Sequence, residues 1–180
     1  MPSLVCGFTL LETLVAITVI IFAVTGPLTL AAKSLAQSQY ARDQITAFYL
    51  AQEGLEIIRY HRDTNAGSAW RTTGGPVHSC TDANGCDVNV RDLAAVACVS
   101  TCEPLLMSTL PALSGGEDGI LYVPGNSGGT GSPTSKYTRT INVTQQSNNP
   151  NEWKIKAEVS WPAGLTGSRS VVLEESIFDR

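Results

Sequence analysis

The stretch GFTLLETLVAITVIIFA, residues 7–23, carries one charged side chain, Glu12. From Thr13 to Ala32 there are 20 residues and no charge. A helix rises about 1.5 Å per residue, so this run covers roughly 30 Å, the thickness of a bilayer's hydrocarbon core. A carboxylate within or beside such a span is costly and marks a functional position by default. A secretory signal places basic residues ahead of a shorter apolar run and a small-residue cleavage site after it. Here no basic residue precedes the run, and Ala31-Ala32 lies beyond an overlong apolar segment. A plain anchor helix accounts for the length and leaves Glu12 unexplained.

Gly7 to Leu11, Glu12 and the unbroken apolar run together resemble the N-terminus of type IV pilins and pseudopilins, the subunits of type IV pili and type II secretion filaments. The resemblance covers about the first 35 residues. It implies a leader, residues 1–7, cut between Gly7 and Phe8 by a prepilin peptidase, and N-methylation of the new Phe8 amine. Glycine lets a protease approach the backbone closely. Residues four apart share a helix face, so the Phe8 amine lies within a turn of Glu12. In a filament, Glu12 is expected to meet the Phe8 amine of a neighbouring subunit, a pair that favours one axial register in a low dielectric. Family leaders usually carry Lys or Arg; MPSLVCG carries neither, and the first basic residue is Lys33.

Gly26-Pro27 interrupts the apolar run. Proline removes a helical hydrogen bond and crowds the preceding turn. A hinge at Gly26 and Pro27, and a tolerated kink of the kind common in membrane helices, both fit. Beyond Lys33, the residues Ala41, Ile45, Phe48, Ala51, Leu55 and Ile58 recur at spacings of three and four, which predicts an amphipathic stripe. Asn65-Ala66-Gly67 is the stop signal. The spacing predicts one helix from residue 9 to about 64, roughly 80 Å long. Residues 8–33 form its membrane and assembly half and 34–64 its amphipathic half.

Residues 65–135 are dense in turn signals and are expected to form a loop-rich, cysteine-containing insertion. Within it, VRDLAAVA (90–97) is expected as a short helix and GILYV (119–123) as a strand. Residues 136–180 read as an antiparallel meander, with strands at 136–145, 152–161 and 169–178. Trp153, Ile155, Ala157, Val159 and Trp161 alternate with polar residues, as do Tyr137, Ile141 and Val143, although Arg139 breaks the apolar side. The fold class is therefore α+β: a long N-terminal helix packed on a C-terminal antiparallel sheet of about three to four strands. The strand pattern loosely resembles minor subunits of the type I pseudopilin or PilV kind.

Cys80, Cys86, Cys98 and Cys102 cluster, while Cys6 stands alone. Clustered cysteines behind a membrane-directing segment point to an oxidising compartment and to disulfides rather than zinc, whose sites favour tighter Cys-x2-Cys knuckles. Four cysteines allow three pairings. The local pairs Cys80–Cys86 and Cys98–Cys102 are expected, with Cys80–Cys98 left open. Asp82, Asn84 and Asp87 surround a glycine turn and faintly resemble a calcium loop, without the Gly and Glu positions of an EF-hand. The turn reading is preferred, so no metal and no cofactor are expected.

Net charge is −4 and no Lys/Arg cluster occurs, so nucleic acid is not an expected partner. No Gly-x-Ser-x-Gly, His-Glu-x-x-His or phosphate-loop motif is present, and no enzymatic activity is expected. The resemblance implies a minor pilin or pseudopilin in the inner (cytoplasmic) membrane, single-pass, with its C-terminal domain extracytoplasmic, later built into a filament. Its implied partners are other pilin or pseudopilin subunits, the prepilin peptidase, the inner-membrane assembly platform and, before assembly, membrane lipid. The alternative is a membrane-anchored extracytoplasmic binding or adhesin domain that does not polymerise.

Overall fold

The structure, a computed structural model, describes residues 9–110, 119–125, 132–164 and 167–179. It contains one long helix, α1 (Leu10–Thr64), and a short 3-10 helix, His78–Thr81. Seven strands follow the long helix: β1 (Cys86–Asn89), β2 (Ala94–Ala97), β3 (Pro104–Leu110), β4 (Gly119–Val123), β5 (Thr134–Gln146), β6 (Asn149–Ala163) and β7 (Gly167–Phe178). The chain divides into two compact units, the first ending at Asp43 and the second starting at Gln44.

In the first unit α1 is a single helix, exposed on every side from Leu10 to Arg42. Leu10 is 82% exposed and Phe22 79%, so among the described residues of this unit nothing covers that apolar surface. This helix is long and apolar enough to cross a membrane.

The second unit is an α+β layer pair. Its helical part buries Ala47, Leu50, Ala51, Gly54, Leu55, Ile57 and Ile58 against one face of the sheet. The period matches the expected stripe, but the face is turned. Ala51, Leu55 and Ile58 are buried, whereas Ala41 is exposed, Ile45 is 56% exposed and Phe48 40%. Apolar residues ring more than half of this segment, so periodicity alone leaves the angle open. Packing settles it at Gly54: a Cβ there would lie 2.7 Å from Ile141 Cδ1, so the missing side chain is what lets the helix approach β5.

The sheet is antiparallel and has seven strands among the described residues, more than the three to four expected. β5 pairs with β6 from Thr138↔Ser160 to Gln145↔Trp153, and β6 pairs with β7 from Glu152↔Phe178 to Ala163↔Gly167. The inward residues of β6, from Trp153 to Trp161, and Tyr137, Ile141 and Val143 of β5 are all buried. Each valine or isoleucine among them contributes on the order of 1.5–3 kcal/mol by leaving water.

The other edge of β5 is shared. β3 pairs with it at Thr134 and Thr138, and β1 at Ile141. β4 extends β3, and β2 extends β1. The sheet therefore forks into two hairpins along one edge of a single strand. Residues 90–97 are not a helix, as expected from VRDLAAVA, but a turn leading into β2. Ala94 to Ala97 find backbone partners in β1, and that cross-strand pairing overrides the helical propensity of alanine.

The end of β7 is tied back to the segment after α1. Arg71 pairs with Asp179, and its guanidinium carbon lies 3.9 Å from the Trp153 ring centroid. Trp70, fully buried, donates its Nε1–H to Asp179 Oδ1 at 3.2 Å and meets Trp153 edge-on.

Candidate functional site

Thr9 starts α1 as its cap. The Glu12 N–H donates to Thr9 O at 3.0 Å and lies 3.3 Å from Thr9 Oγ1. Glu12 sits in the first turn, where a carboxylate complements the positive end of the helix dipole. Gly7 and Phe8 lie outside the described residues.

The polar groups of the apolar half are dealt with locally. Thr13, Thr18, Thr25 and Thr29 each donate a hydroxyl hydrogen to the carbonyl three residues earlier, at 2.8, 2.8, 3.4 and 2.8 Å. Every threonine inside this half of the helix thus hides its hydroxyl against its own backbone, which lipid requires and water does not. Gly26 and Pro27 lie inside the helix, which runs through them without a break. Proline supplies no N–H, so the Ala23 carbonyl has no helical donor four residues on.

The cysteines pair locally. Cys80 is bonded to Cys86, with Cα atoms 4.5 Å apart, and Cys98 to Cys102, at 4.7 Å. The first bond ties the 3-10 helix to β1, and both of its cysteines are fully buried. The second closes the loop from β2 to β3.

Asp82, Asn84 and Asp87 flank the glycine turn, and the bonds described for them go to separate partners. Asn84 Nδ2 donates to Val99 O at 2.7 Å, and the Asp82 carbonyl accepts from Gly85 N–H at 3.0 Å. Asp87 turns into the protein and bonds Arg139. Among the described residues, no group of three or more His, Cys, Asp or Glu side chains is placed to share a metal ion.

Arg139 is the feature that the alternation pattern left as an irregularity. It points inward between Tyr137 and Ile141 and is fully buried. Its Nε donates to Asp87 Oδ1 at 2.6 Å, and its Nη2 to Val88 O at 2.6 Å. Nη1 donates to Leu50 O at 3.1 Å and to Glu53 Oε2 at 2.7 Å. One side chain therefore joins β5, β1 and α1. Asp87 is 3% exposed. Burial pushes its carboxyl above the usual range; the Arg139 charge, the Arg139 hydrogen bond and the Val88 N–H pull the other way. The sequence signal was present: a cation at an inward strand position needs acidic partners. The partners themselves, 86 and 52 residues away, were not readable.

Arg59 makes a second link between helix and sheet. It pairs with Glu175 on the inward side of β7 and with Glu56 one turn earlier. The hydrogen bond to Glu175 leads the influences that hold its guanidinium charged, raised above the usual arginine value.

No family model matches this chain, and searches of curated proteins and of solved structures return no match.

Proposed function

We propose that the chain is a minor pilin or pseudopilin, a structural subunit of a type IV filament, carried in the membrane until it is assembled. One observation carries most of the weight. The uncovered apolar half of α1 begins with Glu12 in its first turn, and the same helix continues as the spine of a folded, disulfide-containing unit. A helix that is apolar all round needs lipid or other helices around it. The internally bonded threonines support lipid first. The two disulfides support an oxidising side for the folded unit. In this reading Gly7-Phe8 is the processing site, Phe8 the methylated residue, and Glu12 the contact that sets subunit register. Its partners are sister subunits, the prepilin peptidase and the assembly platform.

Mass spectrometry of protein from native membranes is the direct test, with an N-methyl-Phe8 start as the expected result. An intact Met1, or a cut near Ala32, overturns the processing. Glu12→Ala is expected to leave cleavage and insertion intact and to lower incorporation into filaments. Normal incorporation turns the reading to a membrane-anchored binding domain that does not polymerise.

A further inference from the structure

The fork in the sheet leaves a cleft of about 240 Å³ between its two hairpins. Asp87 of β1, the Cys98–Cys102 loop, Glu103 and Pro124-Gly125 line it. Its walls are held in place before anything binds. The disulfide closes the loop on one side, and Asn84 Nδ2 holds the loop at Val99 O. On the other side, Glu103 packs against Gly125 so closely that a Cβ on Gly125 would lie 2.8 Å from Glu103 Oε2 and 2.9 Å from Pro104 O. A preformed site loses less ordering entropy when a ligand enters.

The charge of this cleft has one sign. Asp87 and Glu103 line it, and no Lys, Arg or His does so among the described residues. Behind Asp87, the single cation Arg139 is already shared with a second carboxylate, Glu53. The group of three, with Arg139 and Asp87 buried and Glu53 partly exposed, therefore carries more negative than positive charge, and Glu103 adds to it. Asp87 Oδ1 accepts from Arg139 and from Val88 N–H, whereas its Oδ2 is buried with no hydrogen-bond partner among the described residues. A buried anionic oxygen without a donor is unfavourable. A hydrogen-bond donor that also carries positive charge relieves both the missing bond and the unbalanced charge.

A bare metal ion fits poorly, because among the described residues two carboxylates line the cleft, and its volume is that of a long side chain. We infer that this cleft is a docking socket for one basic side chain, an arginine or lysine presented by a partner protein. Ser100 and Thr101 offer hydroxyl acceptors on the loop, and Val99, 92% exposed beside the opening, gives the partner an apolar contact on a rigid loop. This inference concerns the folded unit alone and does not rest on filament assembly.

The test uses the full chain, 15N-labelled and solubilised in detergent, followed by amide NMR. The probes are N-acetyl-arginine methylamide and its neutral isostere, N-acetyl-citrulline methylamide. The arginine probe is expected to shift the amides of Val99, Ser100, Thr101 and Gly125 saturably, and the citrulline probe is not. Glu103→Gln, at an exposed position, is expected to keep the dispersed spectrum and weaken the arginine probe at least about fivefold. Equal response to both probes, no saturable shift, or unchanged affinity in Glu103→Gln overturns the inference. Displacement of the arginine probe by submillimolar calcium chloride also overturns it, in favour of a metal site.

Discussion

Arg139 is a single residue on which three elements converge, and its substitutions separate pairing from desolvation. Arg139→Ala leaves Asp87 facing Glu53 without the cation between them. Breaking a buried pair in this way typically costs about 3–5 kcal/mol. The same order of loss is expected here by urea unfolding in detergent. Arg139→Lys should recover only part of it, since an ammonium has three donors and no planar fork. Asp87→Asn should cost far less, because it removes the charge that burial disfavours and keeps an acceptor for Arg139. The pH dependence follows from the raised Asp87 carboxyl. An acid whose folded pKa lies above its unfolded value, about 3.9 for aspartate, binds its proton more tightly when folded. Its contribution to stability is full below the unfolded value and declines as pH rises through the folded one. Asp87→Asn is therefore expected to gain on the parent protein as pH is raised from about 4. A constant difference across that range would show that Asp87 does not titrate there. Of this network only the inward position of Arg139 was legible beforehand. The alternation of β5 marks Arg139 as inward, but a one-dimensional pattern does not name partners brought in by β1 and α1.

At the scale of elements, legibility followed the strength of local periodicity. β5, β6 and β7 were readable because long strands with one covered face alternate, and turn residues bound them. β1 and β2 have four residues each and no usable alternation: β1 is buried throughout, whereas β2 is at least partly exposed at every position. They exist because Cys86 to Asn89 find partners in Ala94 to Ala97, which is tertiary information. The helix stripe had the right period and a turned face for a similar reason, since the position of Gly54 against Ile141 fixed the angle. Gly54→Ala tests that contact. Alanine gains about 0.5–1 kcal/mol in helix propensity, whereas overpacking a fully buried neighbour costs about 1–3 kcal/mol. A net loss of about 1–2 kcal/mol is expected by thermal or urea unfolding, and a stabilised variant would show that Ile141 moves aside freely. The Cys80–Cys86 bond is a second element-level device. In the chain-entropy description a loop this short is worth about 2–3 kcal/mol. Cys80→Ala with Cys86→Ala should lose that amount, read as a lowered urea midpoint with an unchanged slope.

For the whole molecule, the fork has a kinetic consequence. Strands β5, β6 and β7 are joined by long ladders, whereas the β1–β2 hairpin is joined to the sheet by one backbone pair, Cys86↔Ile141. The rest of its attachment is through side chains: the Cys80–Cys86 disulfide, the Arg139 bonds to Asp87 and Val88, Arg91 to Ser108 Oγ, His61 to Leu93 O, and Val88 in the core. Gly85, at φ +70° and with its Cα side against Asn142 and Ile141 O, sets the entry of that hairpin and leaves no room for a side chain. Local opening free energies run from near zero to the global value and follow such attachments. Amide hydrogen exchange should therefore divide the sheet in two. The amides of β6 are expected to exchange only through global unfolding, and those of β2 through a cheaper opening that releases the hairpin alone. Reduction of the disulfides should speed exchange in β1 and β2 and leave β6 unchanged. A protein built this way can vary one arm of its sheet while the other keeps its shape, because a single backbone pair ties that arm to the long ladders.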